Sequence, residues 1–290
     1  MLQIIHEDFA IFRDDNYPFF GGGNKARKMM ALHEKIKNGN YNAMATTGGI
    51  QSNHCRVTAV YCHKYNIDCT LVLHGDKNEF LTESGNAKIM RNTPSNIIFS
   101  GIDAISSHMD NTMAHYKNQG ANPFYLYGGG HTLEGAKAYI DVIQELVEFD
   151  YIPDYIFIPS GTGSTHAGLL NGIAEFKLKT KVVGISVGRT KSNAEKIVTA
   201  FSNELSKKYN IANKIGEIEV DDTFLCGGYG KYNKEIEEIS NNSLIHHNIF
   251  LDTTYTGKTF YGMKKYIERN AIKGKILFWY TGGIYNYLAK

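Results

Sequence analysis

YIFIPSGTGSTHAG, residues 155–168, passes from an apolar run at Tyr155–Ile158 through a glycine- and hydroxyl-rich turn into a helical pattern. A short apolar run feeding directly into a helix is half of a crossover between parallel strands, because parallel neighbours need a long connection. The same alternation extends outward on both sides. After it, Lys181–Val187 reads as a strand followed by a helix near Ser192–Leu205, and the chain closes with a helix over 257–269 and a strand at Lys275–Tyr280. Before it, Ala43–Thr46, Cys69–Leu73, Asn96–Phe99 and Phe124–Tyr127 read as strands, with helices from about Ser52 to Lys64 and from about Thr132 to Val147. On the first helix Cys55, Ala59 and Cys62 share one face, and on the second Leu133, Ala136, Ile140 and Ile143 do. Residues 206–248 are polar and give no clear pattern. The expected fold is therefore α/β, with mostly parallel open sheets covered on both faces.

Composition narrows the function classes. A formal net charge of +2 over 290 residues gives no electrostatic case for nucleic acid or a membrane surface. No apolar run is long enough to span a bilayer, and MLQIIHEDFA lacks the pattern of a secretory signal, so the cytoplasm is the expected compartment. Cys55, Cys62, Cys69 and Cys226 have no zinc-ligand spacing, no metal is expected, and Cys55 and Cys62 read as buried structural thiols.

Glycine-rich turns follow four of the strands: TTGGIQSNH at 46–54, YGGGH at 127–131, SGTGSTHAG at 160–168 and YTGG at 280–283. In open parallel sheets ligands bind at the carboxyl ends of strands, so four such turns suggest one cleft lined by backbone amides. SGTGSTHAG is the most phosphate-like, with glycines that admit close approach, a helix N-terminus behind them and hydroxyls on Thr162, Ser164 and Thr165. It is no P-loop, since no Gly-Lys-Ser/Thr follows, and a ligand-free strand-to-helix turn would read the same.

In GGGNKARKMM, residues 21–30, Lys25 opens a helix whose Met29, Leu32 and Ile36 form a stripe. An ammonium near a helix N-terminus is electrostatically disfavoured, so this lysine loses its proton more easily, as a Schiff-base amine must. A solvated surface lysine is the alternative. Lys28, one turn on, could face the same anion or water. Gln51, Ser52 and Asn53 offer neutral hydrogen-bonding groups suited to an amino-acid carboxylate, or simple N-capping.

Taken together, RDDNYPFFGGGNKARK at 13–28 and TTGGIQSNHCR at 46–56 resemble the family of 1-aminocyclopropane-1-carboxylate deaminase and D-cysteine desulfhydrase. YGGGHTLEGAKAY at 127–139, SGTGSTHAGL at 160–169, LDTTYTGKTFYGM at 251–263 and LFWYTGG at 277–283 follow in the family's order. These are fold-type II, tryptophan-synthase β-like enzymes that use pyridoxal 5'-phosphate. The resemblance implies two open sheet domains with the cofactor in the cleft between them and a homodimeric assembly. The small substrate-side domain is expected over 30–125, and the large cofactor-binding domain over 1–29 and 126–290.

Carried over residue by residue, the resemblance makes Lys25 the Schiff-base lysine and Lys28 a lysine near the cofactor phosphate. Gly161, Thr162, Gly163, Ser164 and Thr165 match the phosphate cradle. Ser52 matches the serine that takes the substrate carboxylate and handles protons, Gln51 joins that carboxylate site, and Asn53 matches the residue at the cofactor's phenolic oxygen. Tyr255 and Tyr229 match two active-site tyrosines.

Thr256 and Thr281 stand where deaminases of the family carry an acidic residue and a leucine, and where desulfhydrase-like members carry hydroxyls. A carboxylate at the pyridine nitrogen keeps it protonated and the ring a strong electron sink, whereas a threonine hydroxyl leaves a weaker one. That weaker sink suffices when loss of the α-proton expels a good β-leaving group such as thiolate. The expected reaction is β-elimination from a small β-substituted amino acid, as in D-cysteine to pyruvate, sulfide and ammonia, with Lys25 ahead of Ser52 as the α-proton base. The alternatives are ring-opening deamination of the cyclopropane amino acid, β-replacement in a biosynthetic pathway, and a cofactor-binding module without catalysis. The chain is shorter than typical members. Ser164 replaces a usual glycine, His131 and Thr132 replace a common Ser-Asn, and Gly75–Ser84 matches poorly, so the substrate need not be D-cysteine.

Overall fold

A computed structural model describes residues 1–289. The strands in chain order are β1 (Leu2–His6), β2 (Phe9–Arg13), β3 (Ala43–Gly49), β4 (Asp68–His74), β5 (Asn96–Phe99), β6 (Pro123–Leu126), β7 (Tyr155–Ser160), β8 (Lys181–Ser186), β9 (Glu219–Asp221) and β10 (Ile276–Tyr280). The helices are α1 (Asn24–Ala31), α2 (His33–Asn38), α3 (Asn53–Lys64), α4 (Lys77–Thr82), α5 (Gly85–Arg91), α6 (Ile105–Asn118), α7 (Leu133–Glu148), α8 (Ser164–Glu175), α9 (Lys191–Tyr209), α10 (Lys234–His247), α11 (Thr256–Arg269) and α12 (Ile284–Tyr287).

The strands form a six-stranded sheet in the order β1-β2-β10-β7-β8-β9 and a four-stranded sheet in the order β5-β4-β3-β6. Every pairing is parallel except the β1–β2 hairpin at one edge. Each sheet is covered on both faces, as parallel sheets require. On one side of the larger sheet, α7 and α8 bring Ile143, Leu169 and Leu170 against Ile156 and Leu277. On the other side, Phe260 and Met263 of α11 pack on Phe157, Val183 and Phe278. The smaller sheet has Met29, Val57 and Cys62 on one face and Met109 of α6 on the other. Cys55 and Cys62 are both fully buried, and the thiol of Cys62 lies against Met44 Sδ. Among the described residues no helix is long and apolar enough to cross a membrane.

A buried polar knot ties the larger sheet to α1. Asp14, at the end of β2, accepts from Arg27 Nε at 2.8 Å, Tyr139 Oη at 2.7 Å and Trp279 Nε1 at 2.9 Å. Its carbonyl also accepts the amide of Gly23, at the turn that starts α1. A carboxylate this deep survives only with such compensation.

The segment 206–248 that carried no pattern holds β9 and α10. The buried face of α10 carries Ile236, Ser240 and Ser243. The serines turn inward to bond Leu251 O, Ser240 O and Leu251 N, so hydrogen bonds replace the apolar stripe that marks a packed helix. Thr132 lies just outside α7 and caps it, its hydroxyl accepting from Gly135 N.

Candidate active site

The carboxyl ends of β3, β7, β8 and β10, with the 128–130 turn after β6, converge on a cavity of about 540 Å³. Most of the residues singled out from sequence line it: Lys25, Lys28, Ser52, Asn53, Gly161, Thr162, Gly163, Thr165, Tyr229, Tyr255 and Thr281. Gln51, Ser164 and Thr256 do not.

Lys25 occupies the first turn of α1, and its Nζ donates to Gly129 O at 2.9 Å. The side chain is half-buried, and loss of water around the ammonium pushes its pKa down to about 8. Gly129 sits at φ +73°, and a Cβ there would fall 2.7 Å from Thr162 Cγ2 and 3.6 Å from Lys25 Nζ. The positive φ and the close approach of Thr162 both call for glycine in this turn. Lys28 is buried, and its Nζ donates to Ser164 Oγ at 2.7 Å. Burial, followed by the charge of Lys25, holds the Lys28 ammonium well below the usual lysine range.

In the turn after β7, Gly163 has φ +83° and precedes α8, whose first amides face the cavity end. Ser164 stands outside the cavity wall because its hydroxyl is spent on holding Lys28. Ser160 Oγ is buried beside the cavity without a hydrogen-bond partner among the described residues. Thr165 Oγ1 accepts a long bond from Asn24 Nδ2 at 3.4 Å.

Ser52 is the N-cap of α3, accepting from Cys55 N at 3.2 Å, and it still lines the cavity. Asn53 Oδ1 accepts from Asn86 Nδ2 at 3.0 Å. Gln51 turns away from the cavity. Its Nε2 donates to Glu83 Oε2 at 3.1 Å and Ser84 O at 3.0 Å, and its Oε1 accepts from Ala87 N at 3.2 Å. The amide therefore braces the 50–52 turn against α5.

The two tyrosines meet, hydroxyl to hydroxyl, across the cavity wall. Burial raises the Tyr255 phenol well above its ordinary value, so it stays a proton donor. The two threonines part company. Thr281 lines the cavity, and its carbonyl accepts from Asn24 N at 3.0 Å. The Thr256 hydroxyl instead donates to Asp252 Oδ1 at 2.7 Å. Asp252, buried, also accepts the amides of Thr254, Tyr255 and Thr256 at 3.0, 2.9 and 3.0 Å. Thr256 thus helps shape the turn that carries Tyr255.

His54 went unremarked in the sequence, although it closes the TTGGIQSNH run. It is buried, lines the cavity, and places Nε2 2.7 Å from Thr46 Oγ1. The Thr46 hydroxyl donates to Leu126 O, so His54 Nε2 carries the proton and donates, leaving Nδ1 as an acceptor. Burial, then Lys25 and Lys28, holds the ring well below its usual pKa and neutral.

No Asp or Glu is among the residues lining the cavity, while Lys25, Lys28 and Arg189 all face it. A cleft with an easily deprotonated amine, uncompensated cations, an unpartnered serine hydroxyl and a helix N-terminus suits an aldehyde that bears a phosphate.

Comparison with known proteins agrees with that chemistry. The family model described as pyridoxal-phosphate dependent enzyme matches residues 6–282. The chain is 29% identical over 286 residues to a D-cysteine desulfhydrase of Klebsiella pneumoniae subsp. pneumoniae, covering 95% of this chain and 87% of the relative. It is equally 29% identical over 290 residues to a Pyrococcus horikoshii protein with a provisional 1-aminocyclopropane-1-carboxylate deaminase name, covering 97% and 86%. A crystal structure of an ACC deaminase homologue superposes with a TM-score of 0.88 at 27% identity, over 97% of this chain and 86% of that one. The convergence of strand ends on a phosphate-ready cleft and the family match over residues 6–282 lead to one conclusion: the chain belongs to the pyridoxal-phosphate dependent enzymes, with the fold-type II architecture and pyridoxal 5'-phosphate as its cofactor.

Proposed function

We propose that this enzyme is a β-elimination lyase acting on a small β-substituted amino acid, with D-cysteine and water giving pyruvate, hydrogen sulfide and ammonia. The observation that carries this reading is that Thr281 lines a cavity with no Asp or Glu among its lining residues. Without an acid to keep the pyridine nitrogen protonated, the reactions favoured are those in which a good leaving group departs as the α-proton is lost.

The bound cofactor supplies an electron sink for the α-carbon of the substrate. Lys25 would hold the cofactor through its aldehyde carbon, and its easily deprotonated amine, beside Gly129 O, is the first-choice base for the substrate's α-proton. Ser52, at the α3 N-terminus, receives the substrate carboxylate and is the second candidate for that proton. Gln51 positions this turn from behind. The Tyr255 hydroxyl donates to the departing thiolate, held in place by Tyr229. Lys28, itself held by Ser164, would take the cofactor phosphate together with Thr162, Thr165 and the amides of Gly161 and Gly163, and Asn53 would take the phenolic oxygen. Thr281 would hold the pyridine nitrogen, whereas Thr256 acts through Asp252.

The proposal includes a small domain over 30–125 and a large one over 1–29 and 126–290; each sheet has its own core, and that of the smaller one also takes in Phe19, Ala26 and Met29. It also includes a homodimer, on the strength of the family resemblance, and the cytoplasm as its compartment, on the sequence pattern. The test is a panel of D- and L-cysteine, other β-substituted amino acids and the cyclopropane amino acid, assayed for sulfide, pyruvate and 2-oxobutanoate. Equal sulfide and pyruvate from a cysteine enantiomer is the expected result. Release of 2-oxobutanoate from the cyclopropane substrate would reassign the reaction to ring opening, and a new product with added thiol would reassign it to β-replacement.

A further inference from the structure

Three cations surround the turn after β7, and none of them has a carboxylate in the cavity to answer it. Lys28 Nζ touches Ser164 Oγ, and Lys25 Nζ lies beside the Gly129–Thr162 contact. Arg189, just past β8, donates through Nη1 to Gly161 O and lines the same cavity. Its backbone is clamped at both ends, since Arg189 N donates to Ser186 Oγ at 3.1 Å and that hydroxyl donates to Arg189 O at 2.6 Å. Among the described residues no acidic side chain lies within salt-bridge distance of its guanidinium.

The three charges act on one place. His131, next to Thr162, has its imidazole pushed down to about 4, first by burial and then by Lys28, Lys25 and Arg189 in that order. His131 Nδ1 is itself buried without a partner. Of the three cations, the lysines are both drawn toward neutrality by burial, whereas a guanidinium keeps its charge at any ordinary pH. A phosphate monoester carries close to two negative charges near neutral pH, and a helix N-terminus supplies only about half a positive one. One permanent cation is missing from the cradle proposed above, and Arg189 stands at its edge with most of its five N–H donors unspent.

We propose that Arg189, whose guanidinium already reaches Gly161 O in the turn, is a ligand of the cofactor phosphate beside Lys28 and the α8 amides. This rests on the reading of the 160–165 turn as the phosphate cradle. It assigns to β8 a part in cofactor retention that none of the glycine-rich motifs announces.

The test compares pyridoxal 5'-phosphate with pyridoxal, which lacks the phosphate, as ligands of the apoenzyme. Equilibrium affinities are read from the absorbance change on binding, for the wild type, Arg189→Ala and Arg189→Lys. Loss of one charged hydrogen-bond partner should weaken the phosphorylated ligand by roughly ten- to a hundredfold in Arg189→Ala, with partial recovery in Arg189→Lys and unchanged pyridoxal affinity in both. Equal losses for both ligands would make Arg189 a purely structural residue and overturn the proposal, as would no loss for either. A wild type that binds the two ligands equally would sink the phosphate reading of the turn itself, and Arg189 with it. A wild type that prefers the phosphate ester, beside an unchanged Arg189→Ala, would overturn Arg189 alone.

Discussion

Replacing Asp14 by Asn strikes at the knot that fixes α1, and hence Lys25, against the larger sheet. Asp14 is 0% exposed and Arg27 only 6%, so neither charge can turn to water when its partner is lost. The asparagine amide would turn its donor either toward Arg27 or toward Tyr139 and Trp279, which share the other oxygen, so at least one bond is replaced by donor against donor, at about 1–3 kcal/mol. Arg27 would keep only Glu145 as a counter-charge, at 3.8 Å and 40% exposed. Breaking a buried pair from one side costs about 3–5 kcal/mol, a large share of the ~5–15 kcal/mol that holds a typical domain together. Urea unfolding followed by far-ultraviolet circular dichroism should show that loss in Asp14→Asn. The Asp14→Asn/Arg27→Met double variant should lose less than the sum of the two single variants, by about 1–3 kcal/mol. A cost below about 1 kcal/mol for Asp14→Asn, or strict additivity with Arg27→Met, would refute the idea that this carboxylate compensates a buried guanidinium.

The free-amine fraction of Lys25 sets how readily it condenses with an aldehyde. With its pKa lowered to about 8, covalent capture of pyridoxal should climb about tenfold per pH unit below 8 and level off above it, where an ordinary lysine would keep climbing to about 10.5. The same shift makes Lys25 a stability penalty that is full below about pH 8 and relieved as pH rises toward 10.5, because the unfolded chain binds the proton more tightly in that window. Flat capture between pH 6 and 8 would contradict the assignment. At Gly168 on α8, a Cβ would fall 2.4 Å from Ala136 O and 2.7 Å from Tyr139 Cβ, so Gly168→Ala should destabilise in urea melts. The overpacking cost of about 1–3 kcal/mol outweighs the ~1 kcal/mol gained in helix propensity, because a backbone carbonyl on α7 has nowhere to move.

The parts of the fold legible in the sequence were those where burial on two faces leaves an unbroken apolar run. Tyr155–Ile158 and Lys181–Val187 announce β7 and β8 in this way, and the structure extends or trims each by one or two residues. The N-terminal hairpin did not announce itself, because β1 keeps Ile4, Ile5 and His6 exposed at the sheet edge and so lacks a buried-strand pattern. In the site, the glycine-rich motifs read together with the family resemblance pointed to Lys25, Ser52 and the 160–165 turn, and all of these but Ser164 line the cavity. Contacts across long sequence separations were not legible. Thr256 satisfying Asp252 in place of a ligand, Gln51 bracing α5, and Arg189 reaching Gly161 depend on which strand ends meet, and no local pattern encodes that. Of two lysines three residues apart, the sequence marks Lys25 as the nucleophile by its place at the helix start and by the family resemblance, with Lys28 near the phosphate. The structure separates them by partner, a backbone carbonyl for Lys25 and the hydroxyl of Ser164 for Lys28.

That separation is the point on which the functional account turns, and it can be read directly. Borohydride reduction of the enzyme loaded with pyridoxal 5'-phosphate, followed by proteolysis and mass mapping, should place a single pyridoxyl group on Lys25 in the peptide around Asn24–Met29. A label on Lys28, or no label in this peptide at all, would contradict the account.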